Sequence, residues 1–509
     1  MPLFRLWTGR IAKTGVLRSD SAPLSYLVPA MLAALLLAGC ASTRGLESTA
    51  QRTNPDDLSA TRSLADTVDA PAAWPQPDWW KAVGDPELDH LVGEALADNP
   101  SLAQAQARVA MAMASAGAAN AARKPTLDAG ASLSGARVPP LLPPIADGHF
   151  GVIRYGYLGF GWDLDLWGGK RAAWQAAVGN ARAAAIDAEA ARLALAANVV
   201  DAWFSLAAAQ AQAGLAAAEL QRATDFLALT RKRVDSGIDN RLVLAQIEGE
   251  VAGDRAALEA AREALRANGY ALASLLGKGP DRALGIEPAA LHALPELPLP
   301  RALPAELLAR RPDVIAARWR VEAAGQDIAS AKTKFLPNLD ISVLAGLIAP
   351  SALDLLSLQN RFYTLAPAVG VPIYEGGALR ANLAGKDAAR DLAVATYNRT
   401  LVDAINQVAS HADALRSLAR QEREARQAHA SASRAHDLAM LRYRGGVGSF
   451  LEALSARQQL IAAEQRLVVI EARRGSVWAA LNAALGGGFT PPDDAPSLDV
   501  SPLPDRPEP

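Results

Sequence analysis

The chain has 509 residues, of which half are apolar and a fifth are charged, so it has enough apolar material for a large core. Its 51 Lys and Arg nearly balance 53 Asp and Glu, and this argues against a nucleic-acid binder, which needs a basic excess. A single cysteine excludes an internal disulfide framework and zinc ribbons. The common phosphate-loop, HExxH and GxSxG motifs are absent from the sequence. His429 and His436 lie about 10 Å apart along a helix, too far for one metal. We therefore expect no enzyme, no metal site and no cofactor.

The N-terminus has the pattern of an export signal. A basic segment precedes the apolar stretch Leu27–Ala38, which is too short to cross a bilayer that needs about 20 helical residues. The stretch ends in Leu37-Ala38-Gly39-Cys40, which resembles the bacterial lipobox. That resemblance implies cleavage before Cys40, lipidation of its thiol and a mature chain that starts there. Ala41 is not the Asp that keeps such lipoproteins in the inner membrane. The alternative is a plain signal peptide that contains the chain's only cysteine.

The mature chain reads as two copies of one unit. Pro125-Thr-Leu-Asp128 recurs as Pro337-Asn-Leu-Asp340, and the glycine pair at 168–169 recurs at 376–377. The segment 233–237 aligns with 442–446. Several matches in the same order at nearly constant spacing indicate a duplication. The predicted organisation is a signal peptide (1–39), a lipidated tether with a Trp-Trp segment (40–85), repeat 1 (86–285), a Pro-rich linker (286–304), repeat 2 (305–488) and a flexible tail (489–509).

Each copy is predicted to run helix, strand, strand, long helix, turn, helix. The strands show period-2 alternation. Two of them are predicted near 127–135 and 158–166, and the second alternates apolar residues with the small and acidic set Gly159, Gly161, Asp163 and Asp165. A third begins near Leu339, and a weaker fourth over about 362–374 contains two prolines, which belong at sheet edges, ends or bulges. Alternation alone fits a half-buried soluble sheet as well as a barrel that faces lipid.

The helices are predicted to be unusually long. No proline interrupts residues 376–444, which would span about 100 Å as one helix, and 170–234 is its counterpart. Returning helices are predicted over 242–276 and 450–485. A 4-3-4-3 spacing typical of coiled coils links Leu401, Ile405, Val408, Ala412 and Leu415. Helices of this length attached to short strands indicate a projecting tube or stalk.

These features occur together with the motifs of a known family. Pro77-Asp-Trp-Trp-Lys81 resembles the Trp-Trp segment of TolC-like outer-membrane factors, in the lipoprotein branch of NodT and OprM type. The motifs at 310–314, 331–337, 371–377 and 442–446 are similar to those of that family's second repeat.

The resemblance implies a homotrimeric α+β membrane protein. Each subunit would give four strands to one 12-stranded outer-membrane barrel and long helices to a tube that extends into the periplasm. Asp163 and Asp165 would face the lumen. The implied function is an outer-membrane exit duct that passively exports drugs or other toxic small molecules. Its implied partners are outer-membrane lipid, a periplasmic adaptor and an inner-membrane pump, which supplies the energy.

The family also implies roles for the two helical turns. They would form the far periplasmic tip and contact the adaptor, through Arg233, Ser236, Gly237, Arg442, Gly445 and Gly446. Gly237 and Gly446 are expected to take the positive φ that a tight turn requires. Tyr443 and Glu452 align with residues that close the pore at rest, and Ser455 stands where the family has a second acidic residue.

Three other functions compete with an efflux duct. The first is a duct for protein secretion, and the second is a lipid-anchored coiled-coil scaffold without a pore. The third is an enzyme that acts on envelope polymers, with Asp163 and Asp165 as its acid pair. Neighbouring positions on one strand face more often line a polar surface, and no pocket-forming constellation accompanies this pair.

Overall fold

The computed structural model describes residues 43, 45–54, 57–58, 74–137, 150–286, 294–295, 310–349 and 357–490. The predicted signal peptide, Cys40, most of the Pro-rich linker and the tail from residue 491 lie outside these described residues.

Both halves of the described part contain a helix, two strands, a long helix and a returning helix in that order, and the first half has one further helix at its start. In the first half, two helices, two strands and a helical hairpin follow one another: α1 (Pro86–Asp98), α2 (Pro100–Ala121), β1 (Thr126–Arg137), β2 (Phe150–Leu164), α3 (Gly169–Asp235) and α4 (Arg241–Leu275). The second half supplies α5 (Pro312–Thr333), β3 (Asn338–Ala349), β4 (Arg361–Gly370), α6 (Ala378–Arg444) and α7 (Phe450–Ala484). Short 3-10 turns lie at Trp79–Val83, Pro280–Gly285 and Leu358–Asn360.

The long helices are continuous, which confirms the prediction. α3 and α6 each have 67 residues and are therefore about 100 Å long. The returning helices α4 and α7 each have 35 residues and cover the half of the long helices that is remote from the strands. α2 and α5, with 22 residues each, lie toward the strands. The predicted coiled-coil seam is buried, because Leu401, Ile405, Val408 and Ala412 belong to one apolar cluster.

By length and composition, α3 is the one described helix that could cross a membrane. Half of its apolar window is buried inside the subunit, since Val199, Val200, Trp203 and Phe204 pack in the largest core cluster. This packing accounts for the apolar character of α3 as that of a core helix.

The central core lies midway along the helices. Trp79 packs edge-on against Trp478, with ring centroids 5.4 Å apart, and Trp203 is fully buried beside them. Three consecutive glycines after α7 close this region. Gly486 and Gly488 have positive φ, and a side chain at either would meet the backbone of Arg310 or of Gln76. Only glycine allows these segments to approach so closely.

The four strands form one antiparallel sheet in the order β1-β2-β3-β4. β2 begins earlier and ends earlier than predicted, at Phe150 and Leu164. The prediction that Asp165 lies on this strand is wrong, because the residue follows the strand. β4 ends at Gly370 and therefore includes Pro367 but not Pro372. In the single subunit β4 lies at the edge of the sheet, a position at which proline is tolerated.

The register gives the sheet two different faces. Residues directly opposite one another point to the same face, so Leu127, Phe160, Val343 and Leu365 form one apolar row. The neighbouring rows on that face are also apolar, and many of their side chains are exposed in the single subunit. The opposite face carries the small and acidic residues Asp128, Gly159, Gly161, Asp163, Asp340 and Ser342, together with aromatic rings at Tyr155, Tyr157 and Phe362.

Candidate functional site

The two turns at the ends of α3 and α6 have the same backbone motif. In the first, the N–H of Ile238 donates to the carbonyl of Arg233 at 2.8 Å; in the second, the N–H of Val447 donates to the carbonyl of Arg442 at 3.0 Å. Gly237 and Gly446 have φ of 72° and 76°, which confirms the prediction of positive φ at both. Each helix thus ends in a Schellman-type cap.

The next helices begin with matching N-caps. The side chain of Asn240 accepts hydrogen bonds from the N–H groups of Leu242 and Val243, and Ser449 caps α7 by accepting from the N–H of Glu452. The carboxylate of Glu452 accepts in turn from the N–H of Ser449, which completes a capping box. Glu452 and Ser455 are both exposed in the subunit. The structure therefore gives Glu452 a local role in starting α7.

Tyr443 links the two turns. It is 1% exposed, and its hydroxyl donates to Oδ2 of Asp239 at 2.7 Å. Arg233 donates from Nε to the same Asp239 oxygen at 2.7 Å and from Nη1 to the backbone carbonyl of Tyr443 at 3.1 Å. Its guanidinium also lies 4.4 Å from the centroid of the Tyr443 ring, within cation–π distance. We call these three side chains the tip latch.

An aromatic cluster supports the tip latch. The rings of Tyr443 and Phe226 of α3 meet edge to face, with their centroids 5.2 Å apart. The ring of Phe226 stacks on that of Phe450 of α7, with their centroids 5.3 Å apart. The cluster also contains Ile247 and Val251 of α4, so it joins both helical hairpins. The two hairpins of one subunit are thus held together at the tip by apolar packing and by a charged hydrogen-bond network.

The electrostatics of the tip latch favour its ionised form. Hydrogen bonds from Arg233, assisted by the one from Tyr443, hold the pKa of Asp239 below its ordinary value. Burial raises the pKa of the Tyr443 hydroxyl, which keeps it protonated and able to donate. At neutral pH, a carboxylate therefore accepts from a guanidinium and a phenol.

A second charged cluster ties the hairpins together further along the helices. Arg457 of α7 is 4% exposed and donates to Glu219 of α3 and to Glu250 and Asp254 of α4, the last two at 2.7 and 2.6 Å. Glu219 also accepts from Arg222 at 2.7 Å. Burial raises the pKa of Glu250. One guanidinium thus bonds to two helices of the other repeat.

Sequence reasoning identified Tyr443 and Arg233 at the tip but missed Asp239 and Arg457. Asp239 lies only six residues after Arg233, and its link to Tyr443 depends on how the repeats pack, which spacing does not reveal. A clue to Arg457 exists in the sequence. It lies between Ala453 and Leu460 on a buried helix face, where a charge needs partners.

Both turns also expose apolar side chains. Ile238 and Leu242 are 63% and 65% exposed, and Val447 and Leu451, at the matching positions of the second repeat, are 74% and 71% exposed. The other residues predicted at the tip, Ser236, Arg442 and Gly445, are exposed as well. Apolar surface repeated at two adjacent turns of one molecule is typical of an interaction site.

The two acidic residues predicted for the lumen have different roles. Asp163, on the polar face of β2, pairs with the ammonium of Lys170 at 2.9 Å. Asp165 accepts from the N–H groups of Lys170 and Arg171 and so caps α3. They do not form an acid pair. Among the described residues, no group of three His, Cys, Asp or Glu could hold a metal ion.

Comparison with protein families decides the identity of the chain. The model of the family described as "Outer membrane efflux protein" matches residues 91–278 and 303–487, most of the chain. The chain belongs to the outer membrane efflux protein family. Its relatives include the multidrug resistance outer membrane protein MdtP of Shigella flexneri, which is 31% identical over 89% of this chain and 94% of the relative.

Two further relatives illustrate the family. The pyoverdine export outer membrane protein OpmQ of Pseudomonas aeruginosa is 30% identical over 90% of this chain and 96% of the relative. The fusaric acid resistance protein FusA of Burkholderia cepacia is 34% identical over 70% of this chain and 68% of the relative. Family and relatives are transport proteins, which confirms the predicted outer-membrane efflux function.

Solved structures of outer membrane efflux proteins have the same fold. The outer membrane protein VceC of Vibrio cholerae superposes with a TM-score of 0.76 at 33% identity, over 82% of this chain and all of the other. The outer-membrane channel OprN superposes with a TM-score of 0.78 at 25% identity, over 89% of this chain and all of the other. The predicted fold class is confirmed: the strands belong to an outer-membrane channel, and the helices extend into the periplasm.

Proposed function

We propose that three copies of this chain assemble into one duct through the outer membrane. The observation that carries the proposal is a four-stranded sheet with one apolar and one polar face, in which the outer edges of β1 and β4 pair with no other described strand. Unpaired strand edges cannot persist in lipid, and four strands cannot close a barrel. Three subunits give twelve strands, enough for an open, water-filled barrel.

The duct itself is passive and carries small organic molecules. The common phosphate-loop and hydrolase motifs are absent from the sequence, and among the described residues no group of three His, Cys, Asp or Glu could hold a metal ion. Energy therefore comes from an inner-membrane pump, through a periplasmic adaptor. The names of MdtP, OpmQ and FusA refer to multidrug resistance, pyoverdine export and fusaric acid resistance, and these compounds support small-molecule cargo over protein secretion.

Two measurements test the duct. Native mass spectrometry in detergent gives the number of subunits, and planar-bilayer recording gives conductance. We expect a trimer that conducts ions. A stable monomer with intact β-structure contradicts the barrel, and a trimer without conductance supports the lipid-anchored scaffold instead.

The tip latch forms part of the closed periplasmic gate in this proposal. Opening requires the two hairpins to move apart at the tip, and the bonds of Asp239 to Arg233 and Tyr443 resist that movement. Three-fold symmetry brings three copies of the exposed Glu452 to one mouth, where they attract cations. Glu452→Ala should reduce cation selectivity, and Ser455→Ala is the matched control on the same helix. If Glu452→Ala leaves cation selectivity unchanged, other residues determine the charge of the mouth.

The exposed apolar pairs at the tip are the proposed contact with the adaptor. They are Ile238 with Leu242 and Val447 with Leu451, next to the predicted contact residues Ser236 and Gly445. Photo-crosslinkers at Ser236 and Gly445 should capture the adaptor in cells. Capture only from a crosslinker near residue 357, at the opposite end of the molecule, contradicts this placement.

Lipidation of Cys40 is supported by the course of the N-terminal segment. Thr53 hydrogen-bonds to Asn398, and both Ala50 and Ser48 hydrogen-bond to Asp391. Leu46 packs in the cluster that contains Leu383. Residues closer to the N-terminus therefore contact positions of α6 that are closer to the sheet. The described residues nearest Cys40 in the sequence thus lie at the membrane-proximal end of the helices, which supports an acyl anchor on that residue. Mass spectrometry of the mature N-terminus tests this: an unmodified Cys40, or cleavage elsewhere, contradicts it.

A further inference from the structure

The charges of the sheet are sorted between its two faces. Within the described strands, Asp128, Asp163 and Asp340 all lie on the polar face. The arginines of the same strands, Arg137, Arg154 and Arg361, all lie on the apolar face, opposite Phe150, Leu133 and Leu347 respectively. The apolar face is the one that meets lipid in the proposed duct, so the arginines lie on the lipid side of the barrel.

The three arginines also lie toward the ends of their strands that are remote from the helices. The strand ends that adjoin the helices are Thr126 in β1, Leu164 in β2 and Gly370 in β4. Each arginine is about ten residues from that end of its own strand. Ten residues at about 3.4 Å each, in strands tilted by about 40°, rise about 26 Å along the barrel axis. The apolar band of an outer-membrane barrel is about 25 Å tall, so all three guanidinium groups reach its outer boundary.

The opposite boundary of the band is marked independently. Trp162 lies near the helix end of β2, with its indole N–H directed to the carbonyl of Arg123. Trp167, just after β2, is 53% exposed and donates to the carbonyl of Pro337 at 2.7 Å. Tryptophans of this kind are typical of a membrane–water interface. The tryptophans and the arginines thus lie near opposite boundaries of a band about as thick as the apolar band of an outer-membrane barrel.

The position of the arginines matters energetically. An arginine on the lipid face costs about 2–4 kcal/mol at the middle of the bilayer but only about 0–1 kcal/mol near an interface. Three arginines at the boundary are therefore tolerated, and there they meet the headgroups of the leaflet opposite the periplasm. Guanidinium groups bind phosphate through paired, charge-assisted hydrogen bonds.

We propose that Arg137, Arg154 and Arg361 form an outward-facing site for the phosphate groups of lipid A, the glycolipid of the outer leaflet. The trimer carries three such sites, each with a charge opposite to that of its ligand. The assignment rests on the proposed trimeric barrel, because the barrel turns this face toward lipid. Its effect is to fix the barrel at one depth and to seal the protein–lipid boundary.

The test compares lipid A with and without its phosphate groups, and with an anionic phospholipid. Purified full-length protein in detergent is titrated with diphosphoryl lipid A, with the dephosphorylated lipid and with phosphatidylglycerol, and bound lipid is counted by native mass spectrometry. We expect diphosphoryl lipid A to bind at least about tenfold more tightly than either other lipid. The triple variant Arg137→Gln, Arg154→Gln, Arg361→Gln should lose this preference. Arg399→Gln, on an 84% exposed side chain of α6, is the matched control and should keep it.

Each outcome has one meaning. Equal binding of the dephosphorylated lipid overturns the phosphate site, and equal binding of phosphatidylglycerol overturns the assignment to lipid A. A triple variant that keeps the preference overturns the choice of residues. Conductance and the number of subunits in the assembly are measured on the same samples. If the unmodified protein conducts as a trimer but shows no preference, only this inference fails; if it neither assembles nor conducts, the proposed duct fails first.

Discussion

At the scale of single residues, Asp239 is the centre of the tip latch because it accepts from both Arg233 and Tyr443. Tyr443→Phe removes one of these bonds and leaves the ion pair. A net hydrogen bond contributes about 1 kcal/mol, so we expect the closed state to be about fivefold less favoured. Closed-state leak in planar bilayers measures this effect. Tyr270→Phe, on a half-exposed ring of α4, is the control, and equal leak in both variants contradicts the latch.

The pH dependence of the latch follows from the lowered pKa of Asp239. A carboxylate whose pKa is lower in the closed state stabilises that state at every pH above its ordinary pKa, about 3.9. This stabilisation is lost as the pH falls through the lower value. We therefore expect constant leak between pH 8 and pH 5 and a rise only below about pH 4. Asp239→Asn should leak more at neutral pH and lose the acid-dependent rise; the same acid response in both proteins contradicts the assignment.

Arg457 has the largest predicted effect on stability. Replacing it with Leu leaves the buried Glu219 with Arg222 as its cationic partner, and removal of one partner from a buried ion pair costs up to about 3–5 kcal/mol. Arg426→Leu is the matched control, since Arg426 also pairs with two carboxylates but is 61% exposed, and surface pairs contribute at most about 1 kcal/mol. Denaturant unfolding of the two variants should separate them. Similar loss in both would show that Glu219 is adequately solvated without Arg457.

At the scale of elements, the turns depend on backbone conformation more than on space. Gly446 has φ of 76°, and a Cβ added there would meet no atom within 4 Å, whereas Gly445 has φ of −74°. Gly446→Ala should cost about 1–2 kcal/mol of stability in the turn, and Gly445→Ala should cost less. Hydrogen exchange of the turn amides measures the difference. If the turn amides are equally protected from exchange in both variants, the positive φ of Gly446 is not the source of the strain.

The elements that the sequence predicted well are those with a strong period. The 67-residue helix α6 contains an unbroken apolar seam at Leu401, Ile405 and Val408, and no proline interrupts it. Strand ends were less well predicted, because Asp165 continues the alternation of β2 although its carboxylate caps the next helix. Period-2 alternation predicts which face of the sheet a residue occupies, but it does not predict where the hydrogen bonding between strands ends.

The candidate site was only partly predictable for a related reason. Gly237 and Gly446 follow from local turn geometry and were identified from the repeat. The bond between Tyr443 and Asp239 joins residues 204 positions apart, and the contacts of Arg457 span more than 200 positions. Such pairs depend on how α7 packs against α3 and α4. A single sequence contains no measure of that packing.

At the scale of the whole molecule, the proposed function gives the chain two means of retention in the membrane. The sheet would hold it there as part of a barrel, and the N-terminal segment would add an acyl anchor at Cys40. Each buried CH₂ of such an anchor contributes about 0.8 kcal/mol, which is small beside an entire barrel. We therefore expect Cys40→Ala to remain in the outer-membrane fraction after export and cleavage. Release of that variant into the soluble periplasmic fraction would show that the barrel alone does not retain the protein.

The duplicated turn has a consequence for stoichiometry. A trimer presents six turns at its tip, which share one backbone motif and an exposed apolar pair. They differ in side chains, since Tyr443 has Val234 as its counterpart and Asp239 has Gly448. A partner that recognises only the shared features meets quasi-sixfold symmetry and can bind in six copies, whereas one that recognises what distinguishes the turns binds in three. The subunit ratio of the assembled complex therefore reports which surface of the turn the partner contacts.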